Sequence, residues 1–266
     1  MYQGTWAGTL TREETTDAFT DQAVFTHPGR GVDGYTEGKM NPAGNFMDMQ
    51  WFSWPELYPF IRSANNAIQK LTLNEAGIEA SVVNRLLGEA YFMRGYFYTQ
   101  LMRQFGGVVL TLEPLTLDSE SNNPRATFAE TVNQILSDLD QAIDLLEDAP
   151  RDPARADKIT ALAMKSRVLT HVASDLYEPS KNSGVSTIAA YSHPELIGWT
   201  SGSQMQRWEA AKVASKALLD ATTGYKLDYT GPASHEEAIQ NYEDIWLQGD
   251  QNQDFIWGRL VEEFGF

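Results

Sequence analysis

The chain has 266 residues, 42% hydrophobic and 21% charged, with a formal net charge of −16 at pH 7. That composition supports a buried core and excludes wholesale disorder. The acidic balance disfavours a nucleic-acid backbone or an anionic lipid surface as partner, and the lack of cysteine removes disulfides, thiolate metal ligands and a cysteine nucleophile.

Residues 1–50 hold seven glycines and two prolines among scattered Thr and Asp, without a sustained period, and read as loops with short helical turns. The opening MYQGTWAGTLTREETT lacks the basic and apolar regions of a signal peptide. From Glu56 the register changes: Leu57, Phe60, Ile61, Ala64, Ile68 and Leu71 recur at helical spacing, and Pro55 and Pro59 suit a first turn. This predicts a helix over 56–72.

A second helix is expected over 76–105, where Val83, Leu86, Leu87, Ala90, Tyr91, Phe97, Tyr98, Leu101 and Phe105 share a face while Phe92, Met93 and Tyr96 lie elsewhere. A helix apolar on more than one side must sit between neighbours. Its rings therefore read as packing residues, and Arg94, near the stripe, calls for a carboxylate on an adjacent helix. Gly106-Gly107 ends it, since glycine takes a left-handed cap without steric cost.

Thr127 and Glu130 form a capping box ahead of Val132, Ile135, Leu139, Ala142 and Leu146. The segment DKITALAMKSRVLTHVASDLY (157–177) carries Ile159, Leu162, Ser166, Leu169, Ala173 and Leu176 at helical spacing. Trp208, Ala211, Ala214 or Ser215 and Leu218 continue the pattern, closed by Gly224. Between these last two, residues 177–205 form a long aromatic-bearing loop too rich in Ser and Gly for a helix or strand. The sum is an all-α chain of stacked helical hairpins of the tetratricopeptide kind, with long irregular loops and no strict 34-residue repeat. No run reaches the roughly 20 apolar residues of a membrane-spanning helix. The end, IWGRLVEEFGF, stops on an apolar patch, so the sequence is expected to be a piece of a longer protein.

The ordered blocks IRSAN (61–65), LLGEAYFMRGYFYTQLMRQFGGVVL (86–110), RATFAETVNQILSDLDQAIDLL (125–146), DKITALAMKSRVLTHVASDLY, RWEAAKVASKALL (207–219), GYKL (224–227) and DFIWG (254–258) resemble the RagB/SusD family of Bacteroidetes. The resemblance implies a tetratricopeptide-like helical region over 51–266, behind the loop-rich segment 1–50. It implies loops that bind oligo- or polysaccharide, or sometimes peptide, and no catalytic role. It also implies a lipid-anchored position on the outer face of the outer membrane, capping a TonB-dependent SusC-like transporter. Three departures stand out: Gly-Gly-Val-Val replaces Gly-Gly-Val-Pro, the lipidated N-terminal Cys is absent, and the family's C-terminal half is not in the chain.

Sugar binding needs flat aromatic faces ringed by hydrogen-bonding side chains, on loops. Trp51 with Asp48 and Asn45, in GNFMDMQWFSW (44–54), is the first candidate, since it matches the region where family members place a stacking Trp. The competing reading wedges Trp51 and Trp54 against the first helix. Trp199 and Tyr191 form a second cluster, and Tyr35 is a third. Trp208, Trp246 and Trp257 read as core.

Other chemistry finds little support, and no cofactor is expected. DQNQD (250–254) alternates oxygen ligands like a calcium loop but lacks the Gly and Glu that such loops need, so a solvated turn is expected and no metal. The pairs Glu13/Glu14, Asp17/Asp21 and Asp138/Asp140 read as chance occurrences in an acidic chain rather than a hydrolytic pair. His27, His171, His193 and His235 stand too far apart in sequence for a metal-ligand spacing. A helical scaffold that binds peptide or protein in its concave groove is the alternative to glycan binding.

Overall fold

The computed structural model describes residues 54–115, 123–147, 154–222, 231–247 and 256–257. The main helices are α1 (Trp54–Leu73), α2 (Ala80–Phe105), α3 (Phe128–Leu145) and α4 (Lys158–Val172). A short α5 (Ser186–Ala189), then α6 (Gln204–Ala221) and α7 (His235–Leu247) follow. Successive long helices pack on one another, α1 on α2, α2 on α3, α3 on α4 and α4 on α6. This is the stacked-hairpin array that the helical periodicity predicts.

Sequence accounts for most helix starts. Thr127 Oγ1 accepts the Glu130 N–H at 3.1 Å while the Glu130 carboxylate accepts the Thr127 N–H at 2.8 Å, the expected capping box. Asp157 caps α4 by accepting the Thr160 N–H at 2.7 Å. α2 begins at Ala80 rather than near 76, because Asn74 and Gly77 both take positive φ in a turn, and the Glu79 carboxylate then accepts the Ser81 N–H. Pro59 lies inside α1 rather than in its first turn, so one helical hydrogen bond is missing there. α4 stops at Val172 and gives way to a 3₁₀ turn at Asp175–Tyr177, which leaves Leu176 exposed instead of on the apolar stripe.

The core forms where the predicted faces meet. Leu57 and Ile61 of α1, Phe92, Phe97, Tyr98 and Leu101 of α2, and Phe128, Ile135 and Leu139 of α3 are fully buried in one cluster. Tyr91 and Phe105, half-buried, pack against it, as their reading as packing residues requires. Phe92 and Phe97 lie on different sides of α2, and both are buried because α2 has α1 on one flank and α3 on the other.

Inside this core Arg94 is the expected ion-pair partner. Its Nε and Nη2 donate to the two oxygens of Asp138 on α3 at 2.9 and 2.6 Å, and Nη1 donates to Asn65 Oδ1 on α1 at 2.9 Å. Arg94 is 6% exposed and Asp138 1%. Burial pushes the Asp138 carboxyl upward and the bidentate guanidinium opposes it; the Arg94 guanidinium, disfavoured by burial, is held charged by Asp138. Asp138 is thus a structural acid, and Asp140 pairs separately with Lys165, so the two carboxylates serve different partners.

The same clamp holds the segment that follows α2. Arg94 donates to the Leu112 carbonyl at 3.1 Å, Asn65 Nδ2 to that of Thr111 at 2.8 Å, Tyr98 to that of Thr111 at 2.8 Å and Tyr58 to that of Val109 at 2.7 Å. At the start of this segment Gly106 has φ of 73°, as a chain-reversing glycine should. There is a second reason for glycine: a Cβ on Gly106 would lie 2.1 Å from the Leu196 carbonyl oxygen. That carbonyl accepts the Gly107 N–H at 2.7 Å, so the end of α2 is stitched to the connection between α4 and α6.

Candidate functional site

The connection from α4 to α6 folds on itself and contains two of the predicted ligand residues. Its Ser- and Gly-rich composition predicts no regular structure; α5 and 3₁₀ turns at Asp175–Tyr177 and Pro194–Leu196 correct that expectation. Asp175 Oδ1 accepts from Lys181 Nζ and Gln204 Nε2, both at 2.8 Å, and Lys181 also donates to Gln204 Oε1 at 2.6 Å. Asn182 Nδ2 closes the turn on the Asp175 carbonyl at 2.7 Å. These bonds draw the carboxyl of Asp175 below its usual range, with the Gln204 bond the largest cause.

Trp199 is anchored within this connection. Its Nε1 donates to the Val172 carbonyl at 2.7 Å and its backbone N–H to that of Tyr177 at 2.9 Å. Its ring stands edge-on to Phe128, with centroids 5.3 Å apart, and the Arg207 guanidinium lies 4.8 Å from its centroid. Arg207 is in turn paired with Glu178. The indole is half-buried, and the part not covered by Arg207 and Phe128 is what a ligand could reach.

Tyr191 is placed differently. It is 38% exposed, and its ring meets only that of His193, edge-on at 6.1 Å, among the described residues. His193 Nδ1 lies 3.1 Å from Glu195 Oε1, and both are open to solvent. An exposed ring beside an exposed imidazole and carboxylate has the elements of a sugar contact, a face for C–H stacking and groups for hydroxyls. His193 and Glu195 were not singled out from sequence as ligand groups; the alternation in Tyr-Ser-His-Pro-Glu is the signal that could have found them. No ring contact joins Tyr191 to Trp199.

Asn45, Asp48 and Trp51 lie outside the described residues, as do Tyr35 and the DQNQD segment. Trp54 takes the wedge role, packing on Tyr58 at 5.3 Å and on Phe105 at 5.5 Å. Trp257 packs edge-on against Phe92 and Tyr96, as a core residue should. Trp208 corrects the expectation: it is 42% exposed, because α6 meets α4 through Ala211, Ala214 and Ser215 and turns its larger apolar side chains away. The Trp246 side chain is outside the described set.

A cavity of about 290 Å³ opens between the start of α2, the end of α3 and the start of α4. Its wall includes Glu89, 2% exposed, which is paired with Arg85 at 2.7 Å and Arg155 at 2.8 Å. The carboxylate is neutralised by two guanidiniums, an arrangement that ties α2 to the turn before α4. Among the described residues no cluster of His, Asp and Glu is arranged to hold a metal ion, and no helix is long and apolar enough to cross a membrane.

A SusD-like family model, described as starch-binding and associating with the outer membrane, matches residues 13–169, more than half of the chain. SusD-like protein P38 of Formosa agariphila is 32% identical over 143 residues, covering 53% of this chain and 27% of the relative. A SusD-like protein from Bacteroides fragilis superposes with a TM-score of 0.57 at 25% identity, covering 80% of this chain and 34% of that one. A laminarin-binding SusD-like protein superposes at 0.55 with 24% identity, covering 69% and 40%. The chain thus spans well under half the length of each of these relatives.

Proposed function

This chain belongs to the SusD-like family, and on that premise we propose that it binds oligo- or polysaccharide at the cell surface and passes it to a TonB-dependent SusC-like transporter. The observation that carries the reading is the family match over residues 13–169, on a helical array whose long connection presents an exposed aromatic ring beside polar groups. The protein acts by binding, without a bond-breaking step. We take the helical region to run over 51–266, with 1–50 as a loop-rich lead-in. Its place is the outer face of the outer membrane, held there by a lipid anchor on the whole protein.

Trp51, Asp48 and Asn45 are proposed as the principal glycan contacts, with Tyr191 and the open part of Trp199 as a second. His193 and Glu195 join Tyr191 as hydroxyl partners. Stacking contacts and solvent-competed hydroxyl bonds give affinities on the order of micromolar to millimolar. Isothermal titration of the protein against a glycan panel that includes laminarin oligosaccharides tests the reading. Saturable binding that Trp51→Ala weakens supports it. Absence of binding to every glycan, together with capture of a peptide in the groove of the array, would replace it with the peptide-scaffold reading. Co-purification with a transporter barrel tests the delivery step separately.

A further inference from the structure

The cavity between the start of α2, the end of α3 and the start of α4 has no part in the glycan contacts proposed above. Helix lengths create it. A Cβ on Gly88 would stand 2.7 Å from Leu146 Cγ, so bare backbone of α2 meets the end of α3 at that point. α3 stops at Leu145 while α2 reaches back to Ala80, and about two turns of α2 overhang that end. The space beneath holds about 290 Å³, with Val82, Leu145 and Leu146 as its apolar wall and Ala156, just before α4, beside them.

The polar groups of this cavity are fixed in advance. Glu89, 2% exposed, accepts from Arg85 at 2.7 Å and from Arg155 at 2.8 Å. Both arginines reach solvent while anchored to a buried carboxylate, and a donor fixed before its ligand arrives loses little freedom on binding. Arg85 makes no other hydrogen bond among the described residues, so its further N–H groups are open to a ligand. Glu147, exposed at the rim, makes no hydrogen bond or ion pair among the described residues and offers acceptors.

These groups select a neutral, hydroxyl-rich ligand. The two guanidiniums stand among three carboxylates, those of Glu89, Glu147 and Asp157, so an anion finds no excess of positive charge. A cation would have to displace a guanidinium from Glu89 or share the exposed rim with solvent. A wholly apolar molecule would strip water from Arg85 and Glu147 and return no hydrogen bond. A sugar ring supplies hydroxyls to both and C–H groups to Val82 and the two leucines. Ligand cavities run to roughly 300–1,000 Å³, and one at the low end admits a single ring rather than a chain.

We propose that this cavity binds a single uncharged sugar ring, with Arg85 and Glu147 bonding its hydroxyls and Val82, Leu145 and Leu146 against its C–H face. The inference rests on the glycan-binding reading for its class of ligand and on the cavity for its place. That place is a second and remote one. Glu89 and Phe105 are about 24 Å apart along α2, and Trp54 packs at the Phe105 end.

The test is titration of the intact chain with glucose, mannose, galactose and xylose, and with sodium acetate and valine as charged controls, followed by backbone amide resonances. At least one sugar should give saturable shifts at Val82, Arg85, Leu146 and Ala156, with affinity on the order of millimolar, and neither control should. Val82→Trp fills the cavity from an exposed position and should weaken this binding about tenfold or more, leaving any sugar response at Tyr191 unchanged. Glu147→Ala, at an exposed position outside the helices, should weaken it several-fold through the lost acceptor. Sugar shifts confined to Tyr191 and His193 overturn the cavity site and leave the glycan reading standing. Cavity shifts that Val82→Trp abolishes, in a protein whose oligosaccharide affinity is unaffected by Trp51→Ala and Tyr191→Ala, support the cavity site and remove the loop contacts. Equal sugar affinity in the parent and Val82→Trp proteins, a larger response to acetate or valine than to any sugar, or no response to any sugar overturns the proposal.

Discussion

The α1–α3 core and the α4–α6 connection are held together by opposite means. In the core, large rings are fully enclosed and one buried ion pair reaches across three elements to hold an extended segment. In the connection, order comes from short-range bonds among Asp175, Lys181, Asn182 and Gln204, most of them exposed to water. Burial fixes the first and local hydrogen bonding the second. The lesson is that a segment can be held by local hydrogen bonds while leaving a ring such as Tyr191 outside, which is what a binding surface needs.

The comparison is broken most severely by removing one partner of the buried pair. Arg94→Met leaves Asp138 buried without its cation and should cost about 3–5 kcal/mol in urea denaturation. Arg94→Met combined with Asp138→Leu should recover much of that loss, because no unpaired charge remains. Gly106→Ala strikes the stitch between the two regions. With its positive φ and the 2.1 Å approach to the Leu196 carbonyl oxygen, alanine there should cost about 1–3 kcal/mol. It should also raise hydrogen exchange at the Gly107 amide, whose acceptor must move.

The array was legible because its signals are local and periodic. The Thr127–Glu130 box, the need of Arg94 for a carboxylate and the two-sided apolar character of α2 each follow from spacing alone. What failed depends on partners distant in sequence. Trp208 sits in a good helical stripe, yet the stripe that packs is set by α4, which offers Ser166 and small contacts to Ala211, Ala214 and Ser215. The connection escaped reading because its turns are set by backbone hydrogen bonds and close approaches, as at Gly198, where a Cβ would stand 2.5 Å from the Tyr177 carbonyl oxygen. α7 was not anticipated, because its Glu-rich start and scattered apolar residues give only a partial stripe. Of the candidate site, sequence located the aromatic residues of the connection but could not separate anchored Trp199 from open Tyr191.

Smaller perturbations sharpen the contrast. Thr127→Ala removes a cap on the core side and should cost about 1 kcal/mol, detectable by thermal denaturation. On the connection side, His171 gives a pH dependence. Burial, then the charges of Arg103 and Arg167, hold its folded-state pKa below the ordinary value. The unfolded chain then binds the proton more readily, so stability should fall as pH drops below about 6.5, down to the folded-state value. His171→Gln should flatten that part of the stability–pH curve, though it also removes the bond to Tyr177.

The least stability change is expected where the functional reading has most at stake. The Tyr191 ring meets only the His193 ring among the described residues, at the exposed tip of the connection, so Tyr191→Ala should alter unfolding free energy by no more than about 0.5 kcal/mol. Trp199→Phe, by contrast, forfeits the bond to the Val172 carbonyl and should cost about 1 kcal/mol before any ligand is added. If Tyr191 stacks on a sugar ring, its alanine variant should bind glycan several-fold more weakly at unchanged stability. A Trp199→Phe variant should show the reverse weighting, a lower melting temperature with a smaller change in affinity. Equal affinity of the parent and Tyr191→Ala proteins would remove this connection from the binding surface and leave the Trp51 segment to carry it.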